Sequence, residues 1–271
     1  MSRFLPGMRI GDYRIERELG AEETGVVYLG RHAVLPRQAA VKVMHPAVER
    51  DRATAVRVLP EACLLETLSH PGIPKVFECG ILPDRRPWAA FERIDGASIA
   101  SLIAAAPMAI PDVVAVLRDV GDLLAHAHGR GVVHGRLTAE AIVRTPDRGS
   151  LVSVRHWDGA RALDGLDGRP RSGVDTRDDV YALGAVALLA LTGGAADPAV
   201  AADPAVAAAD RCPDAPAELA ALIDQMLAPD PASRPPSDEV RDRARWLADT
   251  FEPRISDRLW WRRSRPVTAR S

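Results

Sequence analysis

A chain of 271 residues, 47% hydrophobic and 27% charged, is long enough for one large domain or two lobes around a sizeable core. Its formal net charge of −2 excludes a whole-molecule pull towards nucleic acid or a membrane. Three scattered cysteines, Cys63, Cys79 and Cys212, lack Cys-x-x-Cys spacing. They argue against a disulfide framework or a zinc site and for a reducing, cytoplasmic setting. The first eight residues hold no apolar core of signal-peptide length. The longest apolar run, Val180 to Thr192, has 13 residues against the ~20 needed to span a bilayer, and reads as a buried helix. Arginine outnumbers lysine 33 to 2, which we take as coding bias.

Tyr13 to Leu19 alternates as a half-buried strand should, and Gly25 to Gly30 begins a second. Between them, Gly20 and Gly25 flank Glu22 and Glu23. A plain hairpin explains this spacing as well as a phosphate-cradling loop does, and Glu22 stands where such a loop needs bare backbone. Ala39 to Met44 is a third strand holding Ala40 and a lone Lys42, whose charge needs a partner if it is buried. The next helix carries Glu61. Pro60 is tolerated only in a first turn, so this helix starts near Pro60 and is short. That leaves two readings open, a Lys42–Glu61 pair or a plain surface Glu. Ile73 to Cys79 and Trp88 to Glu92 are two more strands, giving five strands and one helix in a smaller lobe. From Ser98 the pattern turns helical, with apolar residues three to four apart from Val113 to His126.

Three later stretches matter for their order. His134-Gly-Arg-Leu-Thr-Ala-Glu-Ala-Ile-Val143 precedes a short apolar strand, Leu151 to Val154. Asp179-Val-Tyr-Ala-Leu-Gly184 opens the buried helix. Pro229-Asp-Pro-Ala-Ser-Arg-Pro235 follows a helix over Ala217 to Leu227. Together with the glycine pair, Lys42 and Glu61, the series resembles the motifs of bacterial-type Ser/Thr protein kinases, in order, over roughly Gly11 to Leu247. The resemblance implies an α+β, two-lobed kinase-like fold. An N-terminal segment (1–10) would precede a small β-rich lobe (11–93), and a larger helical lobe with a shortened activation segment (94–252) would precede a basic tail (253–271). It implies a nucleotide cleft at Gly20, Gly25, Val27, Ala40, Lys42, Glu61, Glu92 and Val143. Phe91 would sit at its back, and the backbone of Glu92 to Ile94 would meet an adenine ring. It also implies a stack of Val76, Leu65, Trp157 and His134 between the lobes, residues that would equally suit an ordinary core.

Against the family pattern His-Arg-Asp-Leu-x-x-x-Asn, His134 and Leu137 match. Gly135 replaces the Arg, Arg136 the base Asp, and Ala141 the metal-binding Asn. His156 falls at the Asp of Asp-Phe-Gly, Trp157 at the Phe and Asp158 at the Gly. A slip of one or two residues would instead make Asp158 the metal ligand. By resemblance no catalytic residue is intact, and the chain reads as a pseudokinase, a regulatory or protein-binding signalling module. The alternatives are an atypical ATP-dependent Ser/Thr protein kinase using Asp158, or a nucleotide sensor without turnover. No cofactor is expected; ATP binding stays open, and magnesium is not expected. A protein partner is expected and nucleic acid is not.

The remaining segments support the same picture. Asp179 lies only 23 positions after His156, the Ala-Pro-Glu motif is absent, and Ser172 and Thr176 are the only hydroxyls between. Arg234 therefore loses its family partner and is either re-partnered or solvated. A repeat of Ala-Ala-Asp-Pro-Ala-Val over 195–206 reads as a loose loop. From Arg254 to Ser271 six arginines surround Trp260 and Trp261, either as a solvated terminus or as a contact for a membrane surface or acidic partner. In the cleft, Glu22 or Glu23 is expected to fold toward Lys42 and take the place of a phosphate.

Overall fold

The computed structural model of the protein describes residues 4–22, 24–45, 59–145, 152–163, 173, 175–193 and 208–251. Glu23, Ser172, the alanine-rich repeat and the tail from 254 onward lie outside these residues.

The amino-terminal half builds a sheet from β1 (Arg9–Ile10), β2 (Tyr13–Ala21), β3 (Gly25–His32), β4 (Gln38–Met44), β5 (Val76–Ile81) and β6 (Pro87–Glu92). The spatial order is β1-β2-β3-β4-β6-β5, and every pair is antiparallel. Arg9–Ile10 joins the sheet through β2, so six strands form where five were expected and the 1–10 segment contributes to the lobe. Alternation sorts the faces. Tyr13 and Ile15 of β2 bury themselves with Tyr28, Val41 and Trp88 in one small core, while Arg14 between them stays exposed. Helix α1 (Leu59–Thr67) packs on β5 and β6 and carries Pro60 in its first turn, where the missing N–H costs nothing.

The carboxy-terminal part is helical. After β7 (Ala97–Ser98), α2 (Ile99–Ala105) is capped by the Ser98 hydroxyl, which accepts from the Ser101 N–H. Helix α3 (Ile110–His128) starts three residues before the periodic run because Pro111 fits its first turn. It buries Val113, Leu117, Val120 and Leu124 on one stripe. Full burial of each such side chain contributes about 1.5–3 kcal/mol. Short strands β8 (Val132–Val133), β9 (Ile142–Arg144), β10 (Val152–Val154) and β11 (Arg161–Ala162) frame the loops beneath the sheet. Helix α4 (Thr176–Thr192) is the expected buried helix. Its start is capped by Asp175, whose carboxylate accepts from the Arg177 N–H, so Thr176 belongs to a helix and not to a loop. Helices α5 (Ala208–Arg211), α6 (Ala217–Met226) and α7 (Ser237–Phe251) complete the lobe, with α7 laid along α3. Among the described residues no helix is long and apolar enough to cross a membrane.

One large core runs through α3, α4, α6 and α7 and up into α1 and the underside of the sheet, so both lobes share it. Leu65, Trp157 and His134 are buried within or against it, at 4%, 1% and 0% exposure, and Val76 packs on its rim. The His134 and Trp157 rings lie 4.7 Å apart.

Candidate functional site

The cleft is a cavity of about 450 Å³ under the sheet. Six of the residues proposed from sequence line it: Gly20, Val27, Ala40, Lys42, Glu61 and Glu92. Gly25 and Val143 do not. Gly25 is buried against β4, where a side-chain carbon would come within 2.4 Å of the Val43 carbonyl oxygen. Val143 is buried within β9. Phe91 lines the cleft with Arg93 and Ile94. The Glu92 N–H donates to the Lys75 carbonyl at 2.7 Å.

Strand register puts Lys42 opposite Val27 and Ala89, in the middle of an apolar sheet and only 3% exposed. Two carboxylates meet its ammonium. Glu61, projecting from the first turn of α1, lies 3.2 Å away; Glu22, from the end of β2, lies at 2.8 Å. Pro60 therefore does not prevent the Lys42–Glu61 contact, because the proline-started helix already has Glu61 facing the sheet. Burial pulls the Lys42 amine down, but Glu61 and Glu22 outweigh it and hold it above its ordinary value. Burial drives the Glu61 carboxyl up, beyond what Lys42 restores.

Glu22 has a second partner. Its other oxygen accepts from Nδ1 of His156 at 3.1 Å, across 134 positions of sequence. Burial works to raise the Glu22 carboxyl, but the His156 hydrogen bond and the Lys42 charge prevail and set it at about 2. His156 is one of two non-glycine residues in left-handed backbone among those described, at φ 60°, between β10 and the turn Trp157–Gly159. That conformation costs about 1–2 kcal/mol and aims the imidazole at the sheet. Glu22 thus ties β2 to the lower lobe. The tendency to fold toward Lys42 was expected of Glu22 or Glu23; the His156 bond had no local signal in the sequence.

Below, the loop between β8 and β9 is held by one buried carboxylate. Asp179 accepts from the His134 N–H and the Gly135 N–H, each at 2.8 Å, and lies 3.0 Å from His128 Nε2. His134 donates from Nε2 to the Arg155 carbonyl at 3.0 Å and accepts the Arg136 N–H on Nδ1; burial, opposed by Asp179, lowers its pKa. Gly135 has φ +74°, and a side-chain carbon there would lie 2.7 Å from the Gly159 carbonyl oxygen. Arg136 turns outward and meets Asp158 at 3.2 Å. Ala141 is fully buried and offers no polar side-chain atom.

Arg234 is re-partnered. It donates to the carbonyls of Ala228, Arg177 and Pro229, pairs with Asp178 at 3.2 Å and stacks on Tyr181 with its guanidinium carbon 4.7 Å from the ring centre.

The two positions that the resemblance gives to magnesium ligands carry no side-chain oxygen. A hard cation prefers oxygen ligands; His156 presents nitrogen, Ala141 presents nothing, and Asp158 is engaged by Arg136. Among the described residues no cluster of three or more His, Cys, Asp or Glu is arranged to hold a metal ion. The Glu22 carboxylate lies against the one lysine of the cleft.

No family model matches the chain. It is 34% identical over 209 residues to the serine/threonine-protein kinase Pkn1 of Myxococcus xanthus, covering 70% of this chain and 30% of that protein. It is 32% identical over 258 residues to the serine/threonine-protein kinase PknJ of Mycobacterium tuberculosis, covering 84% of this chain and 44% of the relative. The chain thus spans only about 30% to 44% of the length of these relatives. Among solved structures, the Mycobacterium tuberculosis PknI kinase domain superposes with a TM-score of 0.71 at 26% identity, over 91% of this chain and all of that one. The chain has the α+β, two-lobed protein-kinase fold and belongs to the bacterial-type serine/threonine protein kinase family.

Proposed function

We propose that this chain is a pseudokinase that acts as a regulatory or protein-binding module. One observation carries the reading: Glu22 bridges Lys42 and His156, so two positions that would serve phosphate and metal are neutralised by a side chain of the protein itself. In working kinases that lysine pairs the α- and β-phosphates. Opposite charges about 4 Å apart attract by ~4 kcal/mol at an effective dielectric of about 20, before the cost of burying them is subtracted. An incoming nucleotide has to break this pair with no metal to screen its own charge.

Turnover has further obstacles. Phosphoryl transfer depends on metal, on a carboxylate for the hydroxyl proton and on positioning. Arg136 has no acceptor and stays cationic. Losing the base alone costs about 10²–10⁴ in rate, and losing metal positioning costs several kcal/mol more. The enzyme alternative rests on Asp158, a largely buried carboxylate near the cleft, already paired with Arg136. A radiolabelled ATP assay on the purified chain, with generic protein substrates, decides between them. The pseudokinase reading expects no label transferred to the chain or the substrates. Transfer that disappears in Asp158→Ala establishes the enzyme.

A further inference from the structure

Strand register sets three arginines side by side. Arg9 stands opposite Arg14, and Arg14 stands opposite Arg31, so β1, β2 and β3 each project one guanidinium from the same face. Neighbouring strands are about 4.8 Å apart, which makes the row about 10 Å long. All three residues are exposed. Like charges directly opposite in an antiparallel pair destabilise a sheet, and this one has two such pairs in succession. Arg31 pairs with Glu16, whose other oxygen accepts from Gln38 at 2.8 Å. Among the described residues Arg9 and Arg14 have no ion-pair partner.

The face matters. Arg31 pairs in register with Gln38, and side chains two residues apart share a face, so the row lies on the side of Ala40 and Lys42, turned toward the lower lobe. Gln38 continues the row to Arg93 at the junction of the lobes, whose guanidinium it contacts and which also pairs with Asp95. Arg17, on the same face, lines the cleft. The row is therefore a basic ledge leading out of the cleft mouth beneath the sheet. A narrow extended chain can follow it; a flat bilayer meets the outer surface of a lobe first.

We propose that Arg9, Arg14 and Arg31 form a docking site for an acidic, extended peptide segment of a protein partner. Carboxylates of that segment supply the countercharge that Arg9 and Arg14 lack among the described residues, in charge-assisted contacts with the guanidinium groups. The proposal names the surface and partner chemistry for the binding-module reading above, on which its biological role rests. Its chemistry is independent of that reading, since a chain that transfers phosphate would still bind at the ledge.

The test uses the full chain and a fluorescent, short Glu-rich peptide. Binding is expected, weakening as salt rises. The variant Arg9→Ser/Arg14→Ser/Arg31→Ser should bind roughly tenfold more weakly or worse, while melting no lower than wild type because the like-charge pairs are relieved. A control that removes three exposed arginines elsewhere, Arg85→Ser/Arg161→Ser/Arg245→Ser, should bind as wild type does. Equal binding by the ledge variant would overturn the proposal. So would phosphatidylserine vesicles that bind through the three arginines while the peptide does not. No phosphoryl transfer is measured, so failure here leaves the pseudokinase reading standing.

Discussion

Two regions of the cleft floor and roof can be set against each other. Around Asp179 the chain keeps the contacts that shape a kinase lobe: one buried carboxylate holds the backbone of His134 and Gly135, and Trp157 packs on the His134 ring. Around Lys42 and Arg136 the charged groups are paired with other groups of the protein. Glu22 spans Lys42 and His156, and Asp158 takes Arg136. The first region buries polar groups that folding requires to be satisfied. The second holds groups that a catalytic site would leave available to substrate and metal. In the reading proposed above, the fold retains its interior scaffold while its reactive positions are turned into internal ion pairs.

The comparison is open to breaking by substitution. Asp179→Ala should have the largest effect, because two buried backbone N–H groups and His128 lose their acceptor. A loss of about 4 kcal/mol is expected, read as a fall in melting temperature on the order of 10 °C. A change smaller than that of Glu22→Ala would contradict the distinction between scaffold and rewired cleft.

Glu22→Ala should cost less, about 1–2 kcal/mol, since Lys42 keeps Glu61. Its pH dependence has a definite sign. The folded-state carboxyl is depressed to about 2 from an ordinary 4.5. The stability it adds is fully present above pH ~4.5 and is lost as pH falls toward ~2. The stability difference between wild type and Glu22→Gln, followed by denaturant unfolding, should shrink as pH falls below about 4.5. A difference that instead vanished on raising the pH would contradict a stabilising Glu22 charge between Lys42 and His156. Smallest of all, Arg136→Ala should change stability by no more than about 0.5 kcal/mol, because Arg136 is half exposed at its pair with Asp158. A larger loss would make that pair part of the scaffold.

The strands of the upper lobe were legible because alternation of apolar and polar residues is local, as over Tyr13 to Leu19. The long helices were legible through spacing, with errors of two or three residues where Pro111 extended α3 backward. Contacts between distant segments were less so. Glu22 and Glu23 both stood beside the glycines, and no spacing rule chooses between neighbours at a strand end. The Glu22–His156 bond joins residues from different lobes, and it depends on the left-handed backbone of a single histidine. Pro60 left the Lys42–Glu61 pair open, since a shorter helix could have begun with Glu61 turned away. The arginine ledge depends on strand register, which a sequence rich in arginine does not single out.

Calorimetric titration of ATP into the purified chain, with and without magnesium, tests the self-occupied cleft most directly. Weak or absent binding, unchanged by magnesium, is the predicted result. Glu22→Gly combined with Glu23→Ala should then raise the affinity, whereas Lys42→Ala should not. Tight, magnesium-dependent binding by the wild-type chain would contradict the claim that Glu22 occupies the place of a phosphate.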